Sequence, residues 1–181
     1  SHARLLVPLI QEVLAETGGS VAQVGRIIVA DGPGSFTGLR VAAVLAKGLA
    51  RAGTVTVATA PSLLGRAARV MPTAGGLVLC ATSALRGEVY AGWYRLEPDR
   101  PVETVREAVA TDWESASKGP RPDLVAGDGP DGFLEALGRF WGVPVMVREG
   151  AHADARTLLA LDRRTGGTTT IGDPPSLSLI H

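Results

Sequence analysis

The sequence predicts an α/β fold, and three stretches carry that prediction. Arg26-Ile27-Ile28-Val29-Ala30 is a β-branched run that leads into Gly32-Pro33-Gly34-Ser35-Phe36-Thr37-Gly38-Leu39-Arg40, and an Ala/Leu/Val-rich segment, Val41 to Ala50, leaves it. That order reads as strand, tight turn, helix. Thr54 to Ala58 reads as a second strand, so strand, helix and strand form a parallel crossover. Further on, Leu77 to Ala81 and Glu88 to Arg95 read as an antiparallel hairpin around Thr82 to Gly87.

The remaining elements follow in chain order. Ala3 to Glu16 reads as a helix whose Leu5, Leu6, Leu9, Ile10, Val13 and Leu14 form a broad apolar face. Ser1 can cap it, and Pro8 predicts a bend or a late start. Gly18-Gly19 ends it, and Val21 to Val24 reads as a short turn. Pro61 to Val70 reads as a short helix, and Pro72 to Gly76 as a hinge between an N-terminal lobe, residues 1–76, and a C-terminal lobe, residues 77–181. Val102 to Ala110 reads as a strand and Asp112 to Lys118 as a loop or short helix. Leu124 to Ala126 enters a second glycine turn, Gly127-Asp128-Gly129-Pro130. Asp131 to Phe140 then reads as a helix, Val143 to Val147 as a strand and Ala153 to Arg164 as a final helix, with Asp154 and Arg163 placed as the helix dipole prefers. Val89, Tyr90, Trp93 and Tyr94 are expected in the core or on a sheet face.

The glycine turn at 32–40 has chemistry to weigh. Its three glycines permit positive φ or close backbone approach, and Ser35 or Thr37 can cap the helix that follows. Free amides and a helix dipole together can hold an anion. Yet Thr37 stands where a dinucleotide motif needs glycine, and Gly38 is followed by Leu39 where a P-loop needs lysine. A structural turn and a nucleotide site both stay open. The helix from Thr37 to Arg51 confines Arg40, Lys47 and Arg51 to one narrow sector. So thin a polar stripe means cover on more than one side, from the chain's own interior or from a partner subunit.

Composition excludes several classes. Eighteen basic and eighteen acidic residues give zero net charge, whereas a stand-alone nucleic-acid binder carries a basic excess. The single cysteine, Cys80, forms no internal disulfide and reads as inert core in an apolar strand. No signal peptide or membrane-spanning run is seen, so a cytoplasmic protein is expected. His2, His152 and His181 have no metal-ligand spacing. Ser35, His152 and Asp128 make a triad on paper, without the nucleophile-elbow pattern.

The nine residues Gly32 to Arg40 resemble the signature of the TsaB family, also called YeaZ. The resemblance extends over nearly the whole chain and includes Arg86-Gly87-Glu88-Val89-Tyr90, with Ser83 where an acid is expected, and Asp173-Pro174-Pro175-Ser176-Leu177 in the tail. It implies the fold of the actin, sugar kinase and Hsp70 ATPase superfamily (ribonuclease H-like lobes), with the N-terminal lobe incomplete, because the family's opening strands have no counterpart before Ala3. Thr157 to Asp162 is similar to that opening strand, so a rearranged chain order stands beside a shortened one. The resemblance further implies a non-catalytic partner subunit in making threonylcarbamoyladenosine (t6A) on tRNA. Such a subunit binds a catalytic TsaD-like protein, works with a TsaE-like ATPase, meets tRNA only through the complex and can form a homodimer. Its interface would use Leu5, Leu6, Leu9 and Val13 of the first helix and Leu39, Ala42, Ala43, Ala46, Leu49 and Ala50 of the second. No cofactor is expected on the chain alone. ATP or ADP in the assembled complex would meet Gly32, Gly34, Ser35, Thr37 and Gly38, with Gly127 and Gly129 from the other lobe. The alternatives are a small nucleotide hydrolase or peptidase of the same fold, and a self-associating scaffold.

Overall fold

The computed structural model describes residues 5–52, 55–70, 75–98, 100, 102–147 and 154–164. Helix α1 (Leu6–Glu16) and a single 3-10 turn precede β1 (Arg26–Gly32), α2 (Phe36–Ala52) and β2 (Thr56–Pro61). Helix α3 (Ser62–Val70) leads to β3 (Gly76–Ser83), β4 (Val89–Leu96) and β5 (Glu103–Thr111). Then come α4 (Trp113–Ser117), β6 (Leu124–Gly127), α5 (Phe133–Trp141), β7 (Val145–Val147) and α6 (Ala155–Arg164). Every element expected between residues 5 and 164 is present, with ends moved by a few residues. Segment Thr157 to Asp162 is helical, lying inside α6, so it does not supply an opening strand.

Pro8 does not bend α1. The helix starts at Leu6, and its first backbone bond runs from the Leu9 amide to the Leu5 carbonyl at 3.0 Å. Pro8 therefore sits in the first turn, where an amide proton has no partner to lose. The Ser1 cap and the 168–181 tail lie outside the described residues.

Two sheets form. β1 and β2 pair in parallel, as the crossover predicts, with Ile28 opposite Ala58. The larger sheet has the order β5-β4-β3-β6-β7. The hairpin supplies its antiparallel pairs, and β3–β6 and β6–β7 are parallel. Helices cover both faces of the larger sheet, which is why β3 is apolar and buried from Leu77 to Ala81. Its side chains still alternate. Val78 and Cys80 join Tyr94, Leu124 and Ala126 beneath Leu63 and Ala67 of α3 and Leu158 and Leu161 of α6. Leu77, Leu79 and Ala81 join Trp93 and Val125 against Leu134 and Leu137 of α5. Ile28, Ala30 and Ala60 from the small sheet pack into the first of these cores.

An ion pair ties the small sheet to the last helix. Arg26, at the start of β1, meets the buried Asp162 of α6 through Nε at 3.0 Å and Nη2 at 2.8 Å. Two parallel bonds fix direction as well as distance.

Candidate functional site

The signature turn begins where β1 runs out. Gly32 has φ +114°, and a Cβ there would press on the Leu39 side chain at 3.3 Å. Leu39 therefore folds back over its own turn. The peptide between Gly32 and Pro33 is cis. Ser35, not Thr37, caps α2: its Oγ accepts from the Gly38 amide at 3.3 Å, and its carbonyl accepts from Leu39 at 2.9 Å. The five candidates Gly32, Gly34, Ser35, Thr37 and Gly38 thus lie together at one helix start, where the polar atoms of Ser35 serve the cap. Thr59 of β2, which is buried, hydrogen-bonds the Asp31 carboxylate just before the turn.

Gly127 and Gly129 lie elsewhere, at the end of β6. Gly127 has φ +127°, and any Cβ there would collide with the Ala81 carbonyl oxygen. Only glycine lets β6 close on β3 at this point. The next residue, Asp128, is the polar centre of the junction. Its Oδ1 accepts from the Thr82 hydroxyl at 2.6 Å and the Ser83 amide at 3.1 Å, and its Oδ2 from Arg66 Nη2 at 3.0 Å. Arg66 is 3% exposed and also donates from Nη1 to the Ala81 carbonyl at 2.9 Å. Partial burial alone would raise the Asp128 carboxyl, but the bonds from Thr82, Arg66 and Ser83 outweigh it and hold it below the usual carboxylate range. Ser83 thus meets the acid of the second turn through its amide, at the position where the family resemblance implies an acid.

This arrangement holds a structure together. Ser35 caps a helix and Asp128 is bound to Arg66, so two members of the paper triad are engaged separately; His152 lies outside the described residues. Complete burial pushes the Cys80 thiol up to about 12, against the opposing charge of Arg66, so it stays protonated and inert, as expected for core. Among the described residues no cluster of three or more His, Cys, Asp or Glu could hold a metal, and no helix is long and apolar enough to cross a membrane.

The expected interface residues divide. Helix α1 has no buried residue at all, although eight of its eleven residues are apolar side chains or proline. Leu5, Leu9 and Val13 are 57%, 52% and 58% exposed, and Leu6 is half-buried. On α2 the expectation needs correction at Ala43 and Ala46. They are 3% and 2% exposed, turned into the chain's own core, because α2 lies on β1 and β2 with its small side chains inward. Leu39, Ala42, Leu49 and Ala50 are half-buried. The free apolar residues of α2 are Phe36 and Val44, and the Arg40 guanidinium lies 5.1 Å from the Phe36 ring centre. Arg40, Lys47 and Arg51 are exposed, as the narrow stripe predicts.

Sequence reasoning overlooked Arg66. The available signal was a charge within Ser62-Leu63-Leu64-Gly65-Arg66-Ala67, on a helix otherwise patterned for burial. Phe36 and Val44 were also missed, since the turn hid the first and the apolar flank the second.

Comparison with known proteins agrees with this architecture. The family model described as TsaD: tRNA N6-adenosine threonylcarbamoyltransferase matches residues 1–123. The chain is 32% identical over 95 residues to the tRNA threonylcarbamoyladenosine biosynthesis protein TsaB of Escherichia coli, covering 52% of this chain and 41% of that protein. It is 30% identical over 130 residues to the TsaB protein of Bacillus subtilis, covering 70% of this chain and 56% of that one. The chain therefore spans about half the length of the curated relatives it matches. YeaZ from Pseudomonas aeruginosa superposes with a TM-score of 0.72 at 26% identity, over 93% of this chain and 80% of that one.

Proposed function

Because this chain belongs to the family described by that model, and within it to the TsaB (YeaZ) family with its actin, sugar kinase and Hsp70 ATPase-like fold, we propose that it serves t6A formation on tRNA as a non-catalytic partner subunit. It would bind a TsaD-like catalytic subunit through α1 and the exposed side of α2, and meet a TsaE-like ATPase and tRNA within the assembled complex. Any ATP or ADP would bind in that assembly.

The observation that carries this reading is α1. A helix of eleven residues gains little stability from its own backbone, and most helices in proteins are held by packing an apolar face. Here Leu5, Leu9 and Val13 present that face to solvent and no residue of the helix is buried. On α2, Phe36 and Val44 are likewise exposed. An apolar face of this kind marks an association surface.

The test is calorimetry against a TsaD-like subunit. Leu9→Asp, at a site exposed in the isolated chain, is expected to weaken the complex at least tenfold, on the order of 1.4 kcal/mol or more, while leaving the thermal midpoint of the chain unchanged. Native affinity in that variant would remove the α1 interface. Sedimentation of the chain alone separates self-association from pairing with the TsaD-like subunit. Ala46 is unsuitable for this test, because a charge there would unfold the lobe.

A further inference from the structure

The face of the large sheet turned away from α3 ends in a strip of rings and guanidinium groups that the proposed subunit role leaves unused. The Arg106 Cζ of β5 lies 5.0 Å from the Trp93 ring centre. Trp93 Nε1 donates to the Pro120 carbonyl at 2.9 Å, and the next residue, Arg121, donates from Nε to the Trp141 carbonyl at 3.0 Å. Trp141 meets Phe140 edge-on at 5.6 Å between ring centres, and Phe140 meets Trp113 at 5.7 Å. The strip is therefore continuous from β5, across the loop after α4, to the end of α5.

Its outer rings face water: Phe140 is 56% and Trp113 39% exposed. Among the described residues no ion pair takes up Arg106 or Arg121. Of the acids flanking Trp113, Glu114 is charge-paired and Asp112 serves as the cap of α4, keeping its charge. Glu114 binds Lys118 Nζ at 2.8 Å, and Asp112 accepts the Ser115 amide at 2.8 Å. Glu135 of α5 lies about 140° around the helix from Phe140, at 100° per residue.

We propose that this strip docks a single-stranded loop of RNA, with bases stacked on Phe140 and Trp113 and phosphates paired to Arg121 and Arg106. Unstacked bases seek exposed aromatic faces, and a guanidinium lacking a carboxylate suits a phosphate oxygen beside them. An apolar protein partner would leave both guanidinium groups desolvated without a counter-charge. Zero net charge over the whole chain makes this a local contact that supplements a larger basic surface elsewhere in an assembly. Taking the RNA to be tRNA rests on the t6A reading; the ring-and-guanidinium chemistry does not.

Fluorescence anisotropy with a labelled tRNA anticodon stem–loop tests the strip, using the chain alone and the chain bound to a TsaD-like subunit. A blunt RNA duplex serves as control. Phe140→Ala and Arg121→Ala are each expected to weaken stem–loop binding, by about tenfold for the ring, and Phe140→Tyr to restore it. Duplex binding and affinity for the TsaD-like subunit should not change. Equal stem–loop affinity in native and Phe140→Ala chains overturns the proposal, as does an equal loss on the duplex, or no stem–loop binding by the native chain in either form. Ring-dependent stem–loop binding by a chain that fails to bind the TsaD-like subunit would sink the subunit role and leave this proposal standing.

Discussion

Arg66 joins three parts of the molecule with one side chain. It leaves α3, reaches the end of β3 at the Ala81 carbonyl and holds Asp128 at the end of β6. Arg66→Ala would leave that carbonyl and the carboxylate without their donor, at a cost of about 3 kcal/mol. Chemical denaturation of native and variant chains measures it. The effect should depend on pH. Asp128 has its folded carboxyl held below the ordinary value, so its contribution is present above the unfolded value of roughly 4 and is lost as pH falls through the lower folded value. The stability gap between native and Arg66→Ala chains should therefore narrow as pH is lowered from about 6 to about 3. A gap constant over that range would mean that Asp128 contributes nothing through its charge.

At the scale of elements, α2 depends on how it starts. Ser35 Oγ closes the first turn through the Gly38 amide. Ser35→Ala should lower stability by about 1 kcal/mol, as loss of a helix cap does, and a thermal melt would register it. Were Ser35 instead a nucleophile or a ligand for phosphate, this variant would change an activity or an affinity and leave the melt in place. The elements themselves were legible because β1, α2, β3 and α5 each have a run whose period matches its structure. Strand ends were less so: β2 runs on to Pro61 because its parallel pairing with β1 continues to Gly32 across a register shift, which no local pattern records. Ala43 and Ala46 show the same limit on α2. Outside its basic stripe α2 is apolar all round, which does not reveal which flank lies on the sheet, so alanines assigned to a partner's surface turned out to be the inner ones. The Arg66–Asp128 pair was equally hidden, since its partners stand 62 residues apart and meet only once β6 lies beside β3.

For the whole molecule, the two sheets are joined by one interior. Ala60, Ile28 and Ala30 of the small sheet pack into the core that α3 and α6 form on the large one, and Arg26–Asp162 binds the far ends of the chain together. Such continuity favours a single cooperative transition. Asp162→Asn should lower its midpoint without splitting it, with a loss of about 1–2 kcal/mol because Arg26 remains a third exposed. Two separate calorimetric transitions, or a variant as stable as the native chain, would mean that the two sheets are not joined in this way.

Helix α1 stands outside that interior. Since none of its residues is buried, its hydrogen bonds can open at little cost in buried apolar area, and its amide protons can reach solvent through local fraying. The rest of the fold therefore does not require α1 to be shaped in advance. A companion protein that took up Leu5, Leu9 and Val13 would spend some of its binding energy on ordering the helix, and would be free to set its angle.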